Sequence, residues 1–421
     1  MKNKTALLTT LILMFVAAFS LQGCVKDTIT KTYTYTLYRP VYKTTTEVRA
    51  NIKSNHERAV AQPGKLFIKD HFIFLNEVDK GVHIIDNSNP AAPRNVAFID
   101  IPGNMDIAVK GNTLYADLYT DLVAIDITNP LQAKVTHVAE SVFPHRFYNG
   151  YFIQDSSKII VDWIVKDTTV TESMGSGGII LEDRFTLAFA NASSGAKASA
   201  SPSVAMGGSM ARFTIVDNQL YTVGFQELKV FNISNSAVPA FVTESQVGMN
   251  IESIFPFKDR LFIGSSNGMY IYSIANPNTP QRLGQFSHVR SCDPVIADDN
   301  HAYVTLRSGT ECMGYTNQLE VLDIKNLMQP QMVKIYTMTN PHGLSKDGSL
   351  LFVCDGRDGL KMYDASKPAS LQLLQTIGNM ETYDVIAYGG LAIVVASDGL
   401  YQYDYRDKNN VKLLSKMTIN H

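Results

Sequence analysis

The chain repeats one pattern of short apolar runs, and residues 103–130, GNMDIAVKGNTLYADLYTDLVAIDITNP, show it best. Three runs of five or six residues alternate with turn-forming residues, and the last run, Leu122–Ile127, contains Asp126 and is closed by Asn129-Pro130. Short alternating runs that are rich in β-branched and aromatic residues, and that turns separate, indicate consecutive antiparallel strands. The stretch therefore predicts a β-meander.

The same pattern closes at six other positions, which together with Asp126 are called the closing residues: Asp86, Asn232, Ser273, Asp323, Asp364 and Asp404. Most neighbouring members are 40 or 41 positions apart, and the interval of 50 before Asp323 indicates an insertion. A period of about 40 to 45 residues with about four strands per repeat is typical of a β-propeller. We therefore predict an all-β fold, a β-propeller built from four-stranded blades.

The number of blades depends on the stretch between Asp126 and Asn232. Residues 145–165 contain short apolar runs, and Asp162 lies near the position expected for a closing residue, so they predict a degenerate blade. Residues 168–206 include GSGG and ASSGAKASASPS, which are too small and polar for a core and predict a long insertion loop. Counting the degenerate copy favours eight blades, whereas seven blades follow if residues 141–206 are an insertion.

The N-terminus has the pattern of an export signal. Two lysines precede the apolar run at residues 6–19, which is short for a membrane span, and Leu-Gln-Gly-Cys follows. This ending resembles a bacterial lipobox, which implies that residues 1–23 are removed and that Cys24 becomes the lipidated first residue. An ordinary secretory signal with an incidental cysteine is the alternative. We expect an exported protein, anchored to the outer membrane and facing either the surface or the periplasm.

The remaining chain divides into two predicted parts. Residues 24–60 are rich in Thr, Lys and Tyr and lack the repeat, so we interpret them as an N-terminal tether, with a strand on the propeller rim as the alternative. Residues 61–421 form the predicted propeller, and its last strand, within 411–419, completes the final blade without a strand from the N-terminus. The net charge of −2 predicts no nucleic-acid partner.

Several stretches of the repeat region resemble the LVIVD-repeat family of bacterial and archaeal surface proteins. They are DITNP at 126–130, PGKLFIK at 63–69, HVRSCDP at 288–294, TLRSG at 305–309, NPHGL at 340–344 and YQYDY at 401–405. The chain is most similar to the lipoprotein members found in Bacteroidota, although Asn232 and Ser273 depart from the usual closing aspartate. The resemblance implies a propeller on the cell envelope and supplies no agreed biochemical activity.

Polar residues recur about twenty positions before the closing residues, or about thirty where the insertion intervenes. They form the predicted polar ring: Asp106, Arg212, Glu252, Asp293, His342 and Asp384. The first strand of each propeller blade lines the central channel, so these side chains could surround its mouth. Leu66 breaks the pattern in the first blade, and Arg146 is a candidate seventh member.

Two interpretations of the polar ring stay open. The ring is either the wet lining that any propeller channel has, with its acids bonded to backbone amides, or it is a ligand site. In a ligand site the carboxylates and His342 could hold a cation such as calcium, and Arg212 could orient an anionic group. No other cofactor and no catalytic residue are predicted.

Cysteines and insertions point to the same end of the propeller. Cys292 begins a first strand and Cys312 lies in the inserted loop of the same repeat, so both emerge at one end of an up-and-down blade. Export permits a Cys292–Cys312 disulfide, with Cys354 as the competing partner. The loop 168–206 is predicted to emerge there too, and because loops on a rigid scaffold usually carry binding, we predict a recognition face.

The favoured function is a monomeric, lipid-anchored binding module for a protein or glycan partner, which contacts the membrane only through its lipid. An alternative is a surface hydrolase or lyase that uses Asp293, His342 and Asp384 as acid, base or metal ligands, but the fold alone does not assign one. A purely structural envelope protein is a third hypothesis.

Overall fold

The computed structural model describes residues 29–144, 147–148, 151–152, 158–174, 205–288, 294–309 and 315–419. The chain divides into two units, one formed by Met1–Val41 with Asp162–Leu187 and the other by Tyr42–Val161 with Ala188–His421. Within the described ranges, none of the helices is long and apolar enough to cross a membrane.

The N-terminal elements precede the repeats. They are β1 (Ile29–Thr44), α1 (Thr45–Arg49) and β2 (Lys53–Asn55). Thr44 and Glu47 form a capping box that starts α1, because each side chain bonds the other residue's backbone N–H. Arg49 at the end of α1 donates to Asp121 with two nitrogens, at 2.6 and 2.9 Å, and also to Glu140. Residues 45–55 thus belong to the propeller unit.

Blade 1 consists of β3 (Pro63–Lys69), β4 (Phe72–Glu77), β5 (Gly81–Asp86) and β6 (Arg94–Asp100). Consecutive strands pair in antiparallel fashion, and β2 adds a strand outside β6 through the pairs Lys53–Asp100 and Asn55–Phe98. The alternative of a strand on the rim therefore describes β2. Blade 2 consists of β7 (Ile107–Lys110), β8 (Thr113–Leu118), β9 (Asp121–Asp126) and β10 (Lys134–Ala139), with a 3₁₀ turn at Pro130–Gln132.

Four further strands lie in the long interval between the closing residues Asp126 and Asn232. They are β11 (Phe147–Tyr148), β12 (Tyr151–Phe152), β13 (Lys158–Met174) and β14 (Ala205–Gly207). β11 and β12 pair only with each other, β13 pairs with β1, and β14 pairs with β3 of blade 1. None of these described strands joins a four-stranded sheet of its own, so the interval does not add a blade.

Five four-stranded sheets follow. Blade 3 has β15 (Phe213–Val216), β16 (Gln219–Val223), β17 (Glu227–Asn232) and β18 (Ala240–Gln246), and blade 4 has β19 (Ile251–Phe257), β20 (Arg260–Ser265), β21 (Gly268–Ser273) and β22 (Gln281–Ser287). Blade 5 has β23 (Val295–Ala297), β24 (His301–Leu306), β25 (Gln318–Asp323) and β26 (Gln331–Thr337).

The last two sheets complete the propeller. Blade 6 has β27 (Leu344–Asp347), β28 (Leu350–Cys354), β29 (Leu360–Asp364), a 3₁₀ turn (Pro368–Ser370) and β30 (Gln372–Ile377), and blade 7 has β31 (Thr382–Tyr388), β32 (Leu391–Ala396), β33 (Gly399–Asp404) and β34 (Lys412–Thr418). The described residues thus form a seven-bladed propeller. The preference for eight blades was wrong, and the seven-blade alternative is the one observed.

Each closing residue ends the third strand of its blade, as the repeat predicted. In blade 2, Asp126 Oδ1 accepts from the backbone N–H of Thr128 at 2.9 Å and from its hydroxyl at 2.6 Å. The closing aspartate therefore bonds its own turn two residues on, which is the usual use of Asp and Asn in turns. Asn232 and Ser273 accept from the backbone in the same way, so the two departures keep the turn.

The ring closes between blades 7 and 1. Leu66 and Ile68 of blade 1 belong to one buried apolar cluster with Ile386 and Val395 of blade 7. At the same seam the side-chain amides of Asn87 and Gln402 bond each other in both directions, at 2.9 and 2.7 Å. All four strands of blade 7 come from residues 382–418, so the last blade takes no strand from the N-terminus, as predicted.

Candidate functional site

The polar ring lies where the first strands begin, at one end of the propeller that is called here the mouth end. Asp106 and Arg212 directly precede β7 and β15, Glu252 and Asp384 lie within β19 and β31, and His342 lies two residues before β27. Asp293 and Arg146 are outside the described residues. Asp106, His342 and Asp384 are buried, whereas Arg212 and Glu252 are half-buried.

Asp106 is held by the protein itself. Its carboxylate accepts from Lys65 Nζ at 3.2 Å, from the backbone N–H of Ile107 at 2.8 Å and from the backbone N–H of Arg212. These three donors come from blades 1, 2 and 3, so one buried carboxylate links three consecutive first strands. A charge buried this deeply needs such partners to remain ionised. Asp106 therefore fits the interpretation of the ring as a polar lining.

Two aspartates that the sequence analysis did not select fix the turns leading into the ring. Asp117 accepts from the backbone N–H groups of Met105 and Asp106, at 3.0 and 2.7 Å. Asp355 does the same in blade 6 for Thr339 and Asn340, at 3.0 and 2.8 Å. Both lie nine positions before a closing residue, and this spacing is the signal that could have revealed them.

His342 is neutral at ordinary pH. Burial lowers its pKa to about 3, and the positive charge of Arg307 adds to this effect. Its Nε2 lies 3.2 Å from the side-chain nitrogen of Asn340, and its ring lies 5.5 Å from that of Tyr383 in an edge-on arrangement. An imidazole with so low a pKa is a poor general base near pH 7, because efficient proton transfer needs a pKa near the working pH.

Cys354 is buried at the end of β28, and it is a free thiol. Burial raises the pKa of its thiol, and the nearby negative charge of Asp384 raises it further. Such a thiol is protonated and unreactive. Cys292 and Cys312 lie outside the described residues. The disulfide stays a prediction.

A segment of the chain lies inside the ring of first strands. β14 pairs with β3 of blade 1 through Ala205–Lys69, Met206–Ile68 and Gly207–Phe67. Next to it, the buried hydroxyl of Ser209 accepts from the backbone N–H of Leu344 in blade 6 at 3.0 Å. Lys65 Nζ also donates to the carbonyl oxygen of Met210. Residues 205–210, called here the channel segment, thus bridge blades 1 and 6. The predicted loop 168–206 includes only the first two residues of this segment.

A shallow depression of about 410 Å³ lies at the other end of the propeller, between blades 2 and 3. It is lined by polar turn residues, among them Asn112, Thr113, Asp126, Thr128 and Ser236. These side chains already bond one another: the Thr113 hydroxyl donates to Ser236 at 3.0 Å and Asn112 to Thr128 at 3.2 Å. Their polar atoms therefore serve the turns.

No group of three or more metal-ligating side chains occurs within the described ranges. Asp293 is outside those ranges, so the cation predicted at the channel mouth remains a prediction.

Comparison with known sequences identifies the repeat. The LVIVD repeat matches residues 64–98 and 103–133, which cover most of blade 1 and the first three strands of blade 2. The chain thus contains two stretches that match the LVIVD repeat. The second of them overlaps residues 103–130, the stretch that shows the repeat best. Comparison with curated proteins gives no match.

Solved structures are similar to this chain in fold. A protein from Lactobacillus plantarum is 12% identical with a TM-score of 0.52, covering 85% of this chain and 97% of the other. The computationally designed Ika8 protein is 11% identical with a TM-score of 0.50, covering 86% and 90%. BamB from Moraxella catarrhalis is 8% identical with a TM-score of 0.48, covering 82% and 83%. At these identities the likeness concerns the fold alone.

Proposed function

We propose that this protein is a lipid-anchored binding module of the bacterial cell envelope that recognises a protein or glycan partner through the mouth end of its propeller. The position of the channel segment carries the proposal. Because residues 205–210 run between blades 1 and 6, inside the first strands, the described part of the channel interior is occupied by the protein's own chain. Recognition is therefore assigned to the face around the mouth.

The half-buried members of the polar ring support this face. Arg212 and Glu252 belong to neighbouring blades, 3 and 4, and offer one positive and one negative side chain at the mouth. Opposite charges at a rim steer and orient a partner more than they add affinity. β23 begins and β24 ends at this same end of blade 5, and loops carried by a rigid scaffold are where binding usually occurs.

The hydrolase or lyase alternative has weaker support. It needs an acid and a base whose pKa values lie near the working pH, whereas His342 has a pKa of about 3 and is buried. Asp384, which this alternative uses beside His342, is also fully buried, near the start of β31. A binding role uses the observed geometry without further rearrangement.

The anchor belongs to the same proposal. The Leu-Gln-Gly-Cys ending of the signal makes Cys24 the lipidated residue, and the outer membrane is the proposed location, facing the surface or the periplasm. Mass spectrometry of the protein purified from membranes tests this part directly. Cleavage before residue 24 and an added mass of acyl chains are expected, and an unmodified Cys24 would contradict the anchor.

Site-specific photocrosslinking in cells tests the recognition face. A photoreactive residue at Glu252, at the mouth end, is expected to give a discrete crosslinked product. The matched control carries the same residue at Arg406, which is exposed in the turn after Asp404 at the opposite end. Equal products from both positions, or products only from position 406, would remove the mouth end as the recognition face.

A kinetic measurement separates binding from catalysis. Incubation of the purified protein with envelope polysaccharides is expected to give no turnover, with and without the His342→Ala substitution. A bell-shaped pH–rate profile that is lost in His342→Ala would instead establish the enzyme alternative.

A further inference from the structure

The β1–β13 ribbon has two chemically different faces near its N-terminal end. Thr34 Oγ1 lies 3.0 Å from Thr169 Oγ1, and the Thr36 hydroxyl donates to Asp167 at 2.8 Å. The residue numbers increase along β1, from 34 to 36, while those of their partners in β13 decrease, from 169 to 167. The two strands are therefore antiparallel. Successive side chains of a strand point to opposite faces. Thr32, Thr34 and Thr36 therefore lie on one face, and Tyr33, Tyr35 and Leu37 lie on the other.

The tyrosine-bearing face is exposed. The exposed fractions of Tyr33, Tyr35 and Leu37 are 37%, 44% and 45%. Ile164 of β13 shares this face, because it lies three positions from Asp167, and 47% of it is exposed. The rings of Tyr33 and Tyr35 are 6.2 Å apart. At positions 32–37 the ribbon is thus apolar on the tyrosine-bearing face and polar on the threonine-bearing face, although further along β13 the latter face also exposes 57% of Val165.

The ribbon begins close to the proposed anchor. Ile29 is five positions after Cys24, and five extended residues span at most about 18 Å. If Cys24 carries lipid, the start of β1 cannot leave the neighbourhood of the membrane surface. β1 also contains Lys31, Arg39 and Lys43 and no acidic residue, although the whole chain has a net charge of −2.

We propose that the Tyr33–Tyr35–Leu37 face of the ribbon lies on the lipid headgroups of the membrane that holds Cys24. The inference rests on the proposed lipid anchor and adds a second membrane contact to it. Tyrosine is favoured at membrane interfaces because its ring is apolar and its hydroxyl is polar. The basic residues of β1 suit anionic headgroups. The N-terminal region then fixes the protein at the surface, whereas a free tether would hold it away.

A pair of adjacent labels tests the contact. Full-length lipidated protein with Tyr35→Cys or Thr36→Cys is labelled with an environment-sensitive fluorophore. Each protein is reconstituted in vesicles of phosphatidylethanolamine and phosphatidylglycerol, with and without headgroup-nitroxide lipid. The unsubstituted protein gives the background from its own cysteines. Residues 35 and 36 are neighbours on opposite faces, so each label is the control for the other.

The emission maximum of the label at position 35 is expected to shift to shorter wavelength, and nitroxide lipid is expected to quench its emission. The label at position 36 is expected to keep the emission maximum of a label in water and to escape quenching. Equal behaviour at both positions would overturn the inference. A shift at position 35 that is already present in Cys24→Ser protein, in buffer without lipid or detergent, would assign the face to a protein contact and would also overturn it. Leu37→Cys with Thr34→Cys repeats the test if the first pair misfolds. The acyl mass on Cys24 is measured separately, so failure of the anchor and failure of the ribbon contact are distinguishable.

Discussion

The hydroxyl of Ser209 accepts a hydrogen bond from the backbone N–H of Leu344, which lies 135 positions further along the chain, at 3.0 Å. Both residues are buried. The bond joins the channel segment to the first strand of blade 6, which only blade 7 separates from blade 1 and its strand β3. It shows that the inner strands are held by hydrogen bonds to a segment between them as well as by apolar packing.

Loss of this bond should weaken the fold. In Ser209→Ala the buried N–H of Leu344 has no acceptor, and an unsatisfied buried donor costs about 1–3 kcal/mol. The free energy of unfolding, from urea titration, is expected to fall by that amount. Ser88→Ala is the control, because it removes an exposed hydroxyl that bonds Asp86 and should change stability by less than about 0.5 kcal/mol. Equal losses in the two variants would contradict the bridging role of Ser209.

The Lys65–Asp106 pair allows a double-mutant test. In Lys65→Met the buried Asp106 carboxylate loses its cation, and breaking a buried ion pair from one side costs about 3–5 kcal/mol. The double variant Lys65→Met/Asp106→Asn has no buried charge and should recover part of that loss. Additive losses in a denaturant-based cycle would show that the two residues are not coupled.

His342 should make stability depend on pH. Its pKa is about 3 in the folded protein against 6.5 ordinarily, so between these values the unfolded chain binds a proton that the folded protein does not. The contribution of neutral His342 to the free energy of unfolding is fully present above pH 6.5. It falls as the pH drops towards 3, by up to about 1.4 kcal/mol per pH unit. Urea unfolding from pH 7 to 4 should show a shallower decline for His342→Gln than for the native protein. Parallel curves would be inconsistent with a buried neutral imidazole.

The pKa of the Asp404 carboxyl can be measured at the end of the propeller opposite the mouth. The Arg406 side chain and the backbone N–H of the same residue lower the pKa of Asp404 to about 2. In Arg406→Gln the pKa of Asp404 should rise towards the ordinary 3.8 without reaching it, because the backbone N–H remains. Carboxyl NMR titration measures the change, and Asp404→Asn assigns the signal. An unchanged pKa would mean that the guanidinium does not bond the carboxylate in solution.

The repeat predicted most of the fold because each closing residue is fixed by local turn chemistry. Asp126 bonds the backbone two residues on, and such a short-range requirement recurs in the sequence wherever the turn recurs. The blade count failed for a different reason. β13 has the alternation of a strand, but alternation does not identify the partner strand, and here the partner is β1, over a hundred positions away.

The candidate site was only partly predictable. Counting about twenty positions before each closing residue predicted Asp106, His342 and Asp384 near the starts of first strands, where the structure has them. It could not show that the channel segment runs past them, because small residues such as Gly207 and Ser209 resemble a loop in sequence. Lys65 was missed because the turn between β4 and β5 is one residue longer than the turn between β8 and β9. Counting twenty positions back from Asp86 therefore reached Leu66 instead.

The seam between Asn87 and Gln402 has a consequence for truncated forms of the protein. In a linear array of repeats, removing the last repeat removes its own stability and one interface. Here blade 7 covers blade 1 as well as blade 6, with Ile386 and Val395 packed against Leu66 and Ile68. A nonsense mutation that deletes only the final repeat would expose to solvent the apolar faces of blade 1 and blade 6 that pack against blade 7. The shortened product is expected to aggregate or be degraded, so blades 1–6 need blade 7 to persist as a folded protein.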